Sequence, residues 1–90
     1  MGDMQNTLIV VPCFNEEERL PIEQFLEVLA DNHQLSFLFV NDGSTDGTEK
    51  LLNAAASRSE RIAVLNLEKN CGKAEAVRRG ITASTGKPFR

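Results

Sequence analysis

Three short runs of apolar residues divide the chain, and a polar segment of turn-forming residues follows each of them. The runs cover residues 8–11, 37–41 and 62–65, the second ending on an asparagine. Unbroken runs of this length, rich in β-branched and aromatic residues, are typical of strands buried on both faces. The pattern therefore predicts three interior strands, and Pro12 is expected to end the first because it lacks an amide hydrogen.

Between these runs, and after the last of them, apolar residues recur at helical spacing. Pro21 suits the first turn of a helix that extends to about residue 32. The apolar positions of the three predicted helices are Ile22, Phe25, Leu26 and Leu29, then Leu51, Leu52, Ala55 and Ala56, then Val77, Gly80, Ile81 and Ser84. Residues 57–61 form a polar exit from the second helix, and the third is expected to end near residues 85–86.

Two aspartates follow the second strand, and their positions suggest different tasks. Asp46 lies where it can cap the second helix, with Glu49 three residues later completing a capping box. Asp42 stands directly at the carboxyl end of the strand. In open α/β sheets ligands bind at that edge, which makes Asp42 a functional candidate.

The alternation of elements predicts an α/β fold, a Rossmann-like βαβαβα arrangement whose parallel sheet carries helices on both faces. Residues 1–90 would form a single partial domain. The chain stops at residues 87–90, where the alternation leads to another strand, and a three-stranded sheet would leave long edges unpaired. We therefore expect a fragment of a larger domain that is prone to self-association through an exposed sheet edge.

Composition excludes several classes of protein. The 10 basic and 13 acidic residues give a net charge of −3 without any long basic block, which argues against nucleic acid as a partner. No apolar run approaches the roughly 18 residues of a membrane span, and residues 1–7 do not resemble a signal peptide. Cys13 and Cys71 are expected to be free thiols of a cytoplasmic protein, because two cysteines in such a chain do not suggest a disulfide scaffold.

Three strand-to-helix loops, residues 12–16, 42–46 and 70–73, are expected to converge at one edge of the sheet. There Asp42 could accept hydrogen bonds from a ribose or base, Phe14 could stack on a base, and Lys73 could meet a phosphate at a helix start. Each has a structural alternative. Asp42 could only cap a turn, Phe14 could belong to the core, and Lys73 could be a solvated helix residue.

Other binding motifs fit the sequence poorly. The segment from Asp42 resembles the first half of a calcium loop, but its twelfth position is Asn53 instead of a bidentate glutamate. The first strand-to-helix turn lacks the Gly-x-Gly-x-x-Gly of dinucleotide-binding proteins, and no Walker loop occurs.

Three motifs in order resemble those of the family 2 glycosyltransferases: Val-Val-Pro-Cys-Phe-Asn-Glu-Glu, Val-Asn-Asp-Gly-Ser-Thr-Asp-Gly-Thr and Asn-Cys-Gly-Lys-Ala-Glu-Ala-Val-Arg-Arg-Gly-Ile. With the segments between them they cover residues 8–86. The resemblance implies a GT-A fold, of which this sequence would be the N-terminal, nucleotide-binding half.

The resemblance also implies a site for a nucleotide diphosphate sugar, usually of the UDP or GDP type. Pro12 and Phe14 would line the base pocket, with Phe14 replacing a more usual tyrosine. Glu16 and Asp42 would bind the base or ribose, and Lys73 would lie near the base or diphosphate. The Gly-Lys segment looks especially like that of enzymes that load sugars onto polyprenyl phosphates.

The sequence departs from the family pattern in one important respect. In the family a later Asp-x-Asp motif holds a divalent metal, Mg or Mn, and a catalytic base follows. Neither is present, so the metal is expected only in a full-length enzyme and the isolated chain is expected to be inactive as a transferase. The alternative is a non-catalytic nucleotide-binding or interaction module of the same fold.

Overall fold

The computed structural model describes residues 6–85, which form three strands and three helices in alternation. In chain order these are β1 Thr7–Cys13, α1 Ile22–Asp31, β2 Leu35–Asp42, α2 Thr48–Arg58, β3 Ile62–Leu67 and α3 Lys73–Thr85. The strands form one parallel sheet in the order β1-β2-β3. The predicted βαβαβα architecture with a parallel sheet is confirmed.

Helices cover both faces of the sheet, which explains why β2 is apolar without alternation. Phe37 and Phe39 belong to a core cluster that includes residues of α1 and α2. Leu38 and Val40, which alternate with them, pack with Ala76 of α3 on the other face. Because successive strand side chains point to opposite faces, a central strand covered on both sides must be apolar throughout.

An aromatic cluster forms the centre of the core beneath α1. The ring of Phe25 meets the rings of Phe37 and Phe39 edge-on, at centroid distances of 4.9 and 5.1 Å. Each such contact contributes about 0.5–1.5 kcal/mol beyond the burial of area. The cluster anchors α1 to β2, and thereby places the loop that precedes α1 above the carboxyl end of the sheet.

Pro12 does not end the first strand, contrary to prediction. It pairs in register with Val40, and β1 continues to Cys13. Within residues 6–85, β1 has a neighbouring strand on one side only, and proline is tolerated on such an edge because its missing N–H is not needed for a hydrogen bond to a second neighbour.

Strands β2 and β3 also extend one or two residues beyond the predicted ends. Pro21 precedes α1 as its N-cap residue and does not lie in the first turn.

The predicted capping box at the start of α2 is wrong. The N-cap residue is Gly47, which has no side chain to cap with. Asp46 still contributes, since its Oδ1 accepts hydrogen bonds from the amide and the hydroxyl of Thr48, at 2.9 and 2.5 Å. The glutamate that bonds this turn is Glu17, whose Oε1 accepts from the Gly47 amide at 3.0 Å, and not Glu49. A residue 30 positions away replaces the local partner, which sequence spacing cannot reveal.

The ends of the other helices differ little from prediction. The predicted polar exit of α2 begins later, because Ser57 and Arg58 are still helical and Arg58 forms an ion pair with Glu23 of α1 at 2.6 Å. Helix α3 reaches Thr85, while the predicted end at residue 86 and the segment 87–90 lie outside the described residues. Within residues 6–85 no helix has the length and apolar character needed to cross a membrane.

Replacing Gly80 by alanine is expected to destabilise the protein by about 1–2 kcal/mol, although alanine normally favours a helix over glycine by about 1 kcal/mol. A Cβ at this position of α3 would lie 2.7 Å from Val40 Cγ2 and 2.8 Å from Val10 Cγ1, so the helix would have to move away from the sheet. Urea unfolding measures the change. Ala74→Gly, at an exposed position of the same helix, is the control that measures the difference in helix propensity between alanine and glycine. A Gly80→Ala variant more stable than the parent would contradict the close packing of α3 on the sheet.

Candidate functional site

A cleft of about 320 Å³ lies where the carboxyl ends of the strands meet the following loops. The residues that line it are Pro12, Cys13, Phe14, Glu16, Asp42, Asn70 and Lys73. The structure therefore brings together all five residues that the sequence singled out, Pro12, Phe14, Glu16, Asp42 and Lys73. Their convergence follows from the parallel sheet, which delivers each strand-to-helix loop to the same edge.

A larger depression, about 530 Å³, lies at the opposite end of the sheet and is a poorer candidate. Its walls include Thr7 and Leu35, the first residues of β1 and β2, together with the turn that contains His33. Ligands of open α/β sheets bind at the carboxyl ends of the strands, where loops carry varied side chains. Position in the fold thus favours the smaller cleft.

Asp42 is a buried polar residue of the cleft, and its carboxylate accepts three hydrogen bonds from the loop between β3 and α3. Its side chain is buried, with the residue only 3 % exposed. Oδ1 accepts a hydrogen bond from the Cys71 amide at 2.7 Å, while Oδ2 accepts from the Gly72 amide at 3.0 Å and from Asn70 Nδ2 at 3.1 Å. Three of the roughly four acceptor positions of the carboxylate are therefore occupied by the loop between β3 and α3.

Gly43 packs closely against the backbone of the same loop. Its backbone has a φ of +69°, and a Cβ there would lie against the Asn70 nitrogen and 2.5 Å from the carbonyl carbon of Lys69. Only glycine adopts this conformation without strain and leaves room for the neighbouring chain. The Asp42-Gly43 pair thus holds the loop that ends at Lys73 through both hydrogen bonds and close backbone contact.

Phe14 and Lys73 are accessible at the mouth of the cleft. Phe14 is 42 % exposed, so the alternative that it belongs to the core does not hold. Lys73 is the first residue of α3, is exposed, and forms no ion pair with any residue in the range 6–85. An exposed aromatic face and an unpaired ammonium group on one cleft suit a ligand that has both a flat ring and a negative charge.

Cys13 and Glu16 complete the wall of the cleft next to β1. Burial, with a smaller contribution from the charge of Glu16, raises the pKa of the Cys13 thiol to about 11. Cys13 is therefore a neutral thiol at physiological pH and not a nucleophile. Cys13 and Cys71 are both free, as the sequence predicted.

Hydrogen bonds join the loop after β1 to the segment between β2 and α2, a feature that the sequence did not reveal. Asn15 has a left-handed backbone conformation, with φ of 52°, and its backbone N–H donates a hydrogen bond to Ser44 Oγ at 3.0 Å. The Asn15 Oδ1 accepts from the Thr45 amide at 2.9 Å, and the Glu16 amide donates to Thr48 Oγ1 at 2.8 Å. Ser44, Thr45 and Thr48 of the Ser-Thr-Asp-Gly-Thr motif therefore hold the single loop that bears Phe14 and Glu16.

Asn70 and Cys13 are the two cleft residues to which sequence reasoning gave no role in binding, and Asn70 has the more extensive contacts. It lay within the loop predicted to converge on the site, and an asparagine shortly before a glycine suggested only a break between elements. Its significance depends on contact with Asp42, 28 positions earlier in the chain. Spacing along the sequence carries no signal for such a contact.

The residues present do not fit a divalent cation. Across residues 6–85 no three histidine, cysteine, aspartate or glutamate side chains come together as a metal-binding group. Asp42, the carboxylate best placed for the task, is committed to backbone amides. We therefore assign no metal ligand and no metal-dependent step to the described part of the chain.

Comparison with known proteins places the chain in a family. The family model described as "Glycosyl transferase family 2" matches residues 8–89. A prophage bactoprenol glucosyl transferase homolog of Escherichia coli (strain K12) is 37 % identical over 83 residues, covering 87 % of this chain and 26 % of the relative. A dolichyl-phosphate beta-glucosyltransferase of Dictyostelium discoideum is 35 % identical over 89 residues, covering 88 % of this chain and 27 % of the relative.

A third relative comes from Pectobacterium carotovorum subsp. carotovorum (strain PC1). It is an undecaprenyl-phosphate 4-deoxy-4-formamido-L-arabinose transferase, 38 % identical over 92 residues, covering 96 % of this chain and 28 % of the relative. The chain spans about a quarter of the length of the curated relatives that it matches. Since the family model covers nearly the whole sequence, and the parallel α/β fold agrees with it, the chain belongs to glycosyl transferase family 2.

Proposed function

We propose that this chain forms the nucleotide-binding part of a glycosyltransferase, which transfers a sugar from a nucleotide diphosphate donor of the UDP or GDP type. The observation that carries the proposal is one cleft, at the carboxyl edge of the sheet, that gathers Pro12, Phe14, Glu16, Asp42 and Lys73. Family membership supports a transferase, and the cleft offers a place for its donor.

Each side chain has a task that matches its environment. Phe14, exposed at the mouth, stacks on the base, an interaction of about 1–3 kcal/mol. Lys73 attracts the diphosphate, since no carboxylate within residues 6–85 pairs with it. Asp42 has one acceptor position left for a ribose hydroxyl or the base, Glu16 lies beside it, and Pro12 forms the wall.

The relatives indicate the class of acceptor. Their names specify bactoprenol, dolichyl phosphate and undecaprenyl phosphate, and on that ground we propose a polyprenyl phosphate as the acceptor, with a polysaccharide as the alternative. Transfer would need a divalent metal and a catalytic base in addition to the residues described. The two free thiols support a reducing, cytoplasmic setting.

Phe14→Ala is expected to weaken UDP or GDP binding by about fivefold to 150-fold, because it removes a stacking interaction of about 1–3 kcal/mol. Titration calorimetry of the full chain measures the affinity, and backbone chemical shifts of residues 14, 42 and 73 locate the ligand. Val28→Ala is the matched control, because Val28 on α1 is 40 % exposed and does not line the cleft. Absence of any shift at these three positions, or equal losses in the two variants, would contradict the proposed site.

A further inference from the structure

The side-chain amide of Asn41 has an orientation that its partners fix. The backbone N–H of Ser44 donates to Asn41 Oδ1 at 3.3 Å, and Asn41 Nδ2 donates to Asn66 Oδ1 at 2.9 Å. A backbone amide can only donate, so the oxygen of the Asn41 amide must face Ser44 and its nitrogen must face Asn66. The choice between nitrogen and oxygen, which is often ambiguous for asparagine, is settled here by the partner that cannot accept.

Burial makes the Asn66 oxygen a necessary partner of Asn41. Asn41 is 2 % exposed, near the end of β2, and Asn66 stands opposite it in register on β3. A buried N–H group is costly to leave without an acceptor, so loss of the Asn66 oxygen would favour rotation of the Asn41 amide away from Ser44. Asn66 itself is exposed and does not line the cleft.

The turn that Asn41 stabilises is bonded to the loop that carries Phe14. Ser44 Oγ accepts from the backbone N–H of Asn15 at 3.0 Å, and Asn15 Oδ1 accepts from the backbone N–H of Thr45 at 2.9 Å. These two bonds hold Asn15 in the left-handed region, which is uncommon for a residue other than glycine. The direction of the chain at Phe14, immediately before Asn15, therefore depends on the turn after β2.

We propose that Asn66 is a positioning residue for Phe14, although it lies on another strand and outside the cleft. This inference rests on the proposed function. The oxygen of Asn66 fixes the amide of Asn41, and the Asn41 oxygen in turn fixes the turn that holds the backbone next to Phe14. Because the Phe14 residue is 42 % exposed, the orientation of its ring depends on the backbone that carries it.

Asn66→Leu and Asn66→Asp are the test pair, because both new side chains have nearly the shape of asparagine and only the carboxylate keeps an acceptor for Asn41. In titration calorimetry of the full chain, Asn66→Leu is expected to weaken UDP binding by about threefold to tenfold. Asn66→Asp should restore the affinity to within about twofold of the parent. Asn53→Ala, at an exposed position of α2, is the control for removal of an asparagine and should leave the affinity unchanged.

Amide hydrogen exchange of the ligand-free protein follows the same connection without a nucleotide. In Asn66→Leu, exchange at Ser44 and Asn15 should accelerate by about tenfold. The amides of Cys71 and Gly72 are the internal reference, because their acceptor belongs to the separate set of bonds made by the aspartate at the end of β2. Their exchange should stay as in the parent.

The outcomes separate this inference from the proposed function. If neither UDP nor GDP binds the parent protein, both fail. If UDP binds but Asn66→Leu keeps the parent affinity, or Asn66→Asp is as weak as Asn66→Leu, only the role of Asn66 is overturned. A merely structural role would lower the free energy of unfolding of Asn66→Leu and leave UDP affinity and exchange at Asn15 unchanged. Asn66→Ala, which also lacks the acceptor, carries the same expectations if Asn66→Leu does not fold.

Discussion

Asp42→Ala is expected to lower the free energy of unfolding by about 2–3 kcal/mol and to weaken nucleotide binding more than tenfold. The substitution leaves the partly buried amides of Cys71 and Gly72 without the acceptor that each now has, and it releases the Asn70 side chain. A domain of this size is stable by about 5–10 kcal/mol, so the loss is a large share of the total. Urea unfolding and titration with UDP measure the two effects.

Asp46→Ala is the matched control for this prediction. Asp46 also accepts backbone amides, from Thr48 and Glu17, but it is exposed, and water replaces it at little cost. We expect a loss of about 1 kcal/mol or less in this variant, with nucleotide affinity nearly unchanged. Amide hydrogen exchange adds a local readout, since Asp42→Ala should accelerate exchange selectively at Cys71 and Gly72. Equal effects of the two substitutions would refute the special role of Asp42.

Gly43→Ala is expected to be the most destabilising change in the cleft, with a loss of about 3–5 kcal/mol. Two costs add. The residue has a φ of +69°, which strains any side chain, and its Cβ would collide with the backbone between Lys69 and Asn70. The loop would move away from β2, so UDP affinity should fall as well, although Gly43 is not itself a wall of the cleft.

Gly72→Ala separates the two costs. Gly72 also has a positive φ, +94°, but a Cβ there would meet no atom within 4 Å. Only the backbone strain applies, and we expect a loss of about 1–2 kcal/mol. The difference between the variants in thermal or urea unfolding gives the contribution of the loop contact. If Gly72→Ala costs as much as Gly43→Ala, the close packing of the loop on Gly43 has no energetic weight.

These variants distinguish two roles within a motif that appears uniform in the sequence. Along Asp-Gly-Ser-Thr-Asp-Gly-Thr, the first two residues hold the loop before α3, whereas Ser44, Thr45 and Thr48 bond the loop after β1. In both cases the side chains chiefly bond protein groups, and they place Phe14, Asn70 and Lys73 around the cleft. Substitutions of the motif residues that hold these two loops are therefore expected to change stability and affinity together, whereas substitution of the exposed Asp46 is not.

The sequence by itself determined the architecture and the identity of the cleft. Three apolar runs and the helical spacing between them fixed the βαβαβα order. A strand buried on both faces gives an unbroken apolar run, whereas a helix buried on one face gives apolar residues at every third or fourth position. Parallel strands then required the loops bearing Phe14, Asp42 and Lys73 to converge. Element ends were less predictable, since Pro12 is tolerated on an edge strand and Glu17 takes the place expected for Glu49.

Only the tertiary structure decided what the polar residues do. Whether Asp42 caps its own turn or holds another loop depends on hydrogen bonds between residues 28–30 positions apart. Such bonds are specified by the packing of the two loops and leave no period or spacing in the sequence. Phe14 likewise read equally well as core or as a stacking surface until its exposure was known. The sequence could name five of the seven residues that line the cleft, and the fold added Cys13 and Asn70 and assigned the contacts of them all.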